Sequence, residues 1–160
     1  MAMPQMAQFS LIRAPEAADL ADDISVLFEE LVRTLPGEHR VYSGECRPAL
    51  DVLETGDALE ITLDVPGVGA EAIRVLFRAG VVLVVGEKAP LAGAGEQTFH
   101  LVEREFGRFA RVVRVTGAVD VGNARAILRD GELKIRLPKL DDRRGRAHRV
   151  PVTCATDPRE

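Results

Sequence analysis

Two hydrophobic periods divide the chain. Between Asp19 and Gly37, the residues Leu20, Ile24, Leu27, Phe28, Leu31 and Leu35 recur at three- and four-residue spacing, which predicts one apolar stripe along a helix. Asp19, Asp22 and Asp23 occupy its first turns, Arg33 lies near its end, and Pro36-Gly37 stop it. From Pro48 the period shortens to two. Short alternating stretches predict strands over residues 49–55, 58–65, 72–78, 81–88, 98–104, 108–115, 124–129 and 132–139. Turn signals punctuate them: Gly56-Asp57, Pro66-Gly67, Ala79-Gly80, a Gly/Ala/Pro loop from Ala89, Gly107, and Asp130-Gly131. Seven or eight strands at this spacing, with no helix between them, predict an all-β, immunoglobulin-like β-sandwich. Three segments follow: an arm with an amphipathic helix at 1–46, the β domain at 47–138, and an extended, charged C-terminal extension at 139–160.

Nothing else in the arm can complete a core with the helical stripe. It must therefore dock on the following domain, on another subunit, or on a client protein. Of the 160 residues, 46% are hydrophobic but only 4% aromatic, with no Trp, so the core is built from Val and Leu. The formal net charge of −4 argues against nucleic acid as a partner. The charge is uneven, with four bases against eight acids in residues 1–47 and six bases against four acids after Pro138. The start lacks the basic and apolar regions of a secretory signal, and the longest apolar run, Val81–Val85, is too short to span a bilayer. Cys46 and Cys154 have neither metal-ligand spacing nor a disulfide framework, which suits free thiols in a reducing cytoplasm.

No catalytic chemistry assembles. Gly67–Gly69 lacks the third glycine and the strand-to-helix setting of a dinucleotide site, and no Gly-Lys-Ser/Thr phosphate loop occurs. His39, His100 and His148 fall one to a segment, and the adjacent acid pairs Asp22-Asp23, Glu29-Glu30 and Asp141-Asp142 read as solvated charge. Neither an enzyme nor a cofactor is expected.

The ordered motifs of residues 47–138 resemble the α-crystallin domain of small heat-shock proteins of the bacterial and plant type. The Asp-x-Pro-Gly-x turn is present as Asp64, Val65, Pro66, Gly67 and Val68, and a strand ends in Gly86-Glu87-Lys88. Glu103, Arg104, Phe106, Gly107, Phe109 and Arg111 follow in the family's order. Ala126, Asp130, Gly131 and Leu133, then Leu-Pro-Lys, complete the signature. Val115-Thr116 replace the usual Leu-Pro, and Glu132 stands where Val is common.

This resemblance implies an ATP-independent holdase that binds partly unfolded clients and assembles from homodimers into larger homo-oligomers. It implies that Thr98–Val102 pairs with the partner's sheet in a swapped dimer, placing Thr98, Phe99, His100, Leu101 and Arg111 at the interface. A local hairpin for this stretch, and a solvated Arg111, stay open from the residues alone. It further implies a groove lined by Val75, Phe77, Ala126 and Leu128, residues that also read as sandwich core. The stripe of Leu20, Ile24, Leu27, Phe28 and Leu31 becomes a client-binding or assembly helix. A CS-domain-like cochaperone, a monomer docking on one folded partner, is the alternative from another class.

In the C-terminal extension, Val150 and Val152 lie two apart, so an extended backbone points both to one face. Pro151 stiffens that form and suits addition at a sheet edge. The resemblance identifies Val150, Pro151 and Val152 as the family's Ile-x-Ile tail motif, which docks in a neighbour's groove. The linker from Pro138 reaches at most about 40 Å. Two missing methylenes weaken such docking by up to about 1.6 kcal/mol relative to isoleucine.

Overall fold

A computed structural model describes residues 14–35, 44–90 and 98–140. One helix, α1 (Ala14–Thr34), precedes seven strands: β1 (Leu50–Glu54), β2 (Ala58–Asp64), β3 (Ile73–Arg78), β4 (Val81–Lys88), β5 (Gly107–Arg114), β6 (Arg125–Arg129) and β7 (Glu132–Pro138). They form two antiparallel sheets, a four-stranded one in the order β1-β2-β7-β6 and a three-stranded one in the order β3-β4-β5. This is the expected sandwich. The eighth expected strand, over residues 98–104, is not formed: no strand is assigned there.

Turn chemistry sets the hairpins. The β6–β7 turn has Asp130 at φ 52° and Gly131 at φ 82°, and the β3–β4 turn has Ala79 at φ 49° and Gly80 at φ 76°. Two successive positive-φ residues give the twist that a two-residue hairpin needs. Between the sheets, alternation delivers Leu59, Ile61 and Leu63 of β2 opposite Leu137, Ile135 and Leu133 of β7, all buried. They meet Ile73, Val82, Val84, Phe109 and Val113 of the other sheet in one aliphatic core.

The unbroken apolar run of β4 has a separate cause. Val82 and Val84 face the core, while Leu83 and Val85 face outward and are covered by α1. Leu27 and Leu31 of the helix are buried there, with Ile24, Phe28, Leu76 and Val112 packed around them. Of the three docking partners open to the stripe, the structure realises the chain's own domain. Polar contacts tie the helix to β3: the Arg78 guanidinium lies 2.6 Å from the Asp23 carboxylate, and Arg74 donates to the Thr34 hydroxyl.

One side of the sandwich is laced shut. Arg108 N–H donates to the Gly44 carbonyl and Cys46 N–H donates to the Arg108 carbonyl, each at 3.1 Å, so Glu45 lies parallel beside the start of β5. The chain then crosses to β1, with Cys46, Leu50 and Val52 packed on the core. On the other side, β3 and β6 are edges that no strand pairs with among the described residues.

Candidate functional site

At the open side, β3 turns Ile73, Val75 and Phe77 inward, and β6 turns Ala126 and Leu128 inward. Ile73 is buried in the core, but Val75 is 39% exposed and Phe77 is half-buried. Opposite them Ala126 is exposed and Leu128 half-buried. Phe77 and Leu128 touch the core from its rim. The four residues therefore lie along the two open edges, partly in water, rather than inside a sealed core.

The stretch Thr98–Val102 is exposed throughout, with Phe99 68% and Leu101 74% accessible. It alternates like a strand yet pairs with none of the described strands. A strand exists only against a partner with free N–H and C=O groups.

The arginines of this region separate by strand face. Arg111 points inward on β5, half-buried, opposite Val84. Burial, and then the neighbouring Arg47 cation, pull its pKa below the usual guanidinium value, though it remains a cation. Arg108 points outward, 3.5 Å from Glu87 and with its guanidinium 5.0 Å from the centre of the Phe28 ring. Arg104 stacks at 5.0 Å over Phe106.

The stripe expected to meet clients is largely covered. Leu27 and Leu31 are buried, and Leu20, Ile24 and Phe28 are half-buried. The sheet beneath α1 takes that stripe because β4 offers Leu83 and Val85 on its outer side, and Val26, 54% exposed, is left on the open side of the helix. The tail motif Val150, Pro151 and Val152, like Cys154, lies outside the described residues.

Three residues that sequence reasoning passed over hold this arrangement. Glu87 is 3% exposed at the end of the row Leu83, Val85, Glu87, a charge buried beside α1 and paired with Arg108. A Cβ on Gly86 would come within 2.3 Å of the Phe109 ring, and one on Gly107 (φ 116°) within 1.9 Å of the Gly44 carbonyl oxygen. The signal was in the Gly86-Glu87-Lys88 and Phe106-Gly107 motifs themselves, which mark close approach rather than binding chemistry. Among the described residues, no three His, Cys, Asp or Glu side chains gather as a metal site, and no helix is long and apolar enough to cross a membrane.

Two stacked antiparallel sheets, laced shut along β5 and β1 and open along β3 and β6, define an α-crystallin-type β-sandwich. Residues 51–153 match the Hsp20/alpha crystallin family, and the chain belongs to this family of non-enzymatic small heat shock chaperones. It is 29% identical to Heat shock protein 16 of Schizosaccharomyces pombe over 122 residues, which is 74% of this chain and 84% of that protein. It is 39% identical to a 21.9 kDa heat shock protein of Oryza sativa over 109 residues, 62% of this chain but only 53% of the rice protein. Among solved structures, the hspA of Xanthomonas axonopodis superposes with a TM-score of 0.52 at 28% identity, covering 57% of this chain and 92% of that one.

Proposed function

We propose that the protein is an ATP-independent holdase, which captures partly unfolded clients in the cytoplasm and assembles from dimers into larger oligomers. The observation that carries this reading is apolar surface left in water on an otherwise well-packed sandwich: Phe99, Leu101 and Val102 are each at least 60% exposed. Contiguous exposed apolar surface of this kind marks an interaction site. The residues Thr98–Val102 are suited to add to a partner's sheet edge, with Arg111 near the contact. The open β3–β6 side is suited to receive Val150 and Val152 of a neighbour's tail or an extended client segment against Val75, Phe77, Ala126 and Leu128. Main-chain hydrogen bonds at such edges give affinity without sequence demand, and pockets for alternate side chains give a preference.

The test is thermal aggregation of a heat-labile client enzyme without nucleotide, beside native mass spectrometry of the intact protein and of Val150→Gly/Val152→Gly. Suppressed light scattering at a stoichiometric ratio, and a fall in assembly mass toward dimers in the variant, are expected. Unchanged scattering overturns the holdase reading. Unchanged mass removes the tail from assembly.

A further inference from the structure

The outer face of the β3-β4-β5 sheet is more specific than a generic apolar patch. Alternation brings out Arg74, Leu76 and Arg78 from β3, Val81, Leu83, Val85 and Glu87 from β4, and Arg108, Ala110, Val112 and Arg114 from β5. The register lays Leu76, Leu83 and Val112 in one row across the three strands, with Val85 in the next. Four arginines stand around this floor. Its present occupant is α1, whose Ile24, Leu27, Phe28 and Leu31 follow the spacing i, i+3, i+4, i+7. The other faces of α1 carry Asp19, Asp22, Asp23, Glu29 and Glu30. Apolar ridge meets apolar floor, and acidic flanks meet a basic rim, as the Asp23–Arg78 pair shows directly.

We propose that this face is a second client-binding surface, selective for acidic amphipathic helices, and that α1 is its resident, displaceable occupant. β4 is hydrogen-bonded on both sides, so no extended segment can add there as a strand; side-chain packing alone is available, and a helix supplies it. The seat is also built to be given up. The Arg78–Asp23 contact is a single ion pair, open to water on the arginine side at 61% though Asp23 is only 17% exposed, so water can reach and loosen it from the rim. Arg108 stands at the end of the apolar floor, paired with Glu87, and offers its guanidinium to an aromatic residue of whichever helix docks, as it does to Phe28. Because the occupant is tethered, it competes at high effective concentration. A free helix therefore gains the surface when α1 leaves or when clients are abundant. The proposal rests on the reading of the protein as a binder of unfolded clients, but its test reads binding alone.

The probe is a fluorescein-labelled peptide of residues 14–34, titrated into the full-length protein by anisotropy. Leu27→Asp/Leu31→Asp, which unseats the resident helix, should bind the peptide at least tenfold more tightly than the wild type. Adding Leu76→Lys/Val112→Lys to the unseated protein should abolish binding, while adding Leu53→Lys, at a position 58% exposed on β1 of the other sheet, should leave it unchanged. A peptide with its acids replaced by Lys should bind at least tenfold more weakly. If Leu76→Lys/Val112→Lys loses the β-sheet circular dichroism of the fold, the exposed-rim variant Arg74→Glu/Arg78→Glu replaces it, with at least a tenfold loss expected. Equal affinity for wild-type and unseated protein, or binding that survives the floor or rim variants, overturns the proposal. Equal binding of the two peptides removes the acidic selectivity. Peptide binding without suppression of aggregation would instead fail the holdase reading alone.

Discussion

At the scale of single residues, Arg108 joins three parts of the structure. Its backbone stitches Gly44–Cys46 to β5, its guanidinium pairs with buried Glu87, and its cation faces the Phe28 ring. Arg108 is one-third exposed in this pair, so its removal costs about what a hydrogen bond to a charged group contributes together with an exposed cation–π contact. Arg108→Ala should therefore destabilise the fold by about 1–2 kcal/mol in urea unfolding, and Arg108→Lys, which keeps the charge but not the planar stack, should lie between. Cys46 offers a quieter check. Burial first, and then the Glu105 carboxylate, raise its thiol pKa despite the lowering effect of Lys88. The stability this gives is fully present below the ordinary thiol value of about 8.5 and is lost as pH rises through the higher folded value. In a Cys154→Ser background, iodoacetamide should alkylate native Cys46 more slowly at pH 8 than the same protein in urea.

At the scale of elements, the hairpins and the helix were legible in the sequence and their partners were not. Asp130-Gly131 between alternating stretches announces its turn, and the stripe Leu20 to Leu35 announces α1, because both signals are local. What covers a stripe is a tertiary matter: Leu27 and Leu31 look alike whether they meet a sheet, a subunit or a client. The run Val81–Val85 held the answer, since a strand apolar on both faces needs cover on both. Residues 98–104 show the opposite case, because alternation describes a willing strand and not an available edge. The groove residues Val75 and Leu128 could be assigned to a face only once β3 and β6 were known to be edges. The β3–β4 turn gives a further element-scale prediction. Ala79 holds φ 49° with a Cβ, a conformation costing roughly 1–2 kcal/mol for an L-residue and less for Asn. Ala79→Asn should raise stability by about 0.5–1 kcal/mol in equilibrium unfolding.

At the scale of the whole molecule, the two sheets differ in how the chain reaches them. β3, β4 and β5 follow one another in sequence, whereas β2 in the four-stranded sheet pairs with β1 beside it and with β7 at the far end of the domain. Contacts between distant residues carry the larger loop-closure cost and form later. Pulse-labelled hydrogen exchange during refolding should protect the β4 amides before those with which β2 meets β7; simultaneous protection would contradict this order. The same topology sets a timetable at the ribosome. α1 emerges first and must travel with its leucines uncovered until β4 and β5 are made. The four-stranded sheet stays unfinished until residue 138 has left the exit tunnel. For that interval the nascent chain itself has the properties of an unfolded client, with an acidic amphipathic helix made ahead of the sandwich that will cover it, and a folded copy of the protein carries the kind of surface proposed to receive it.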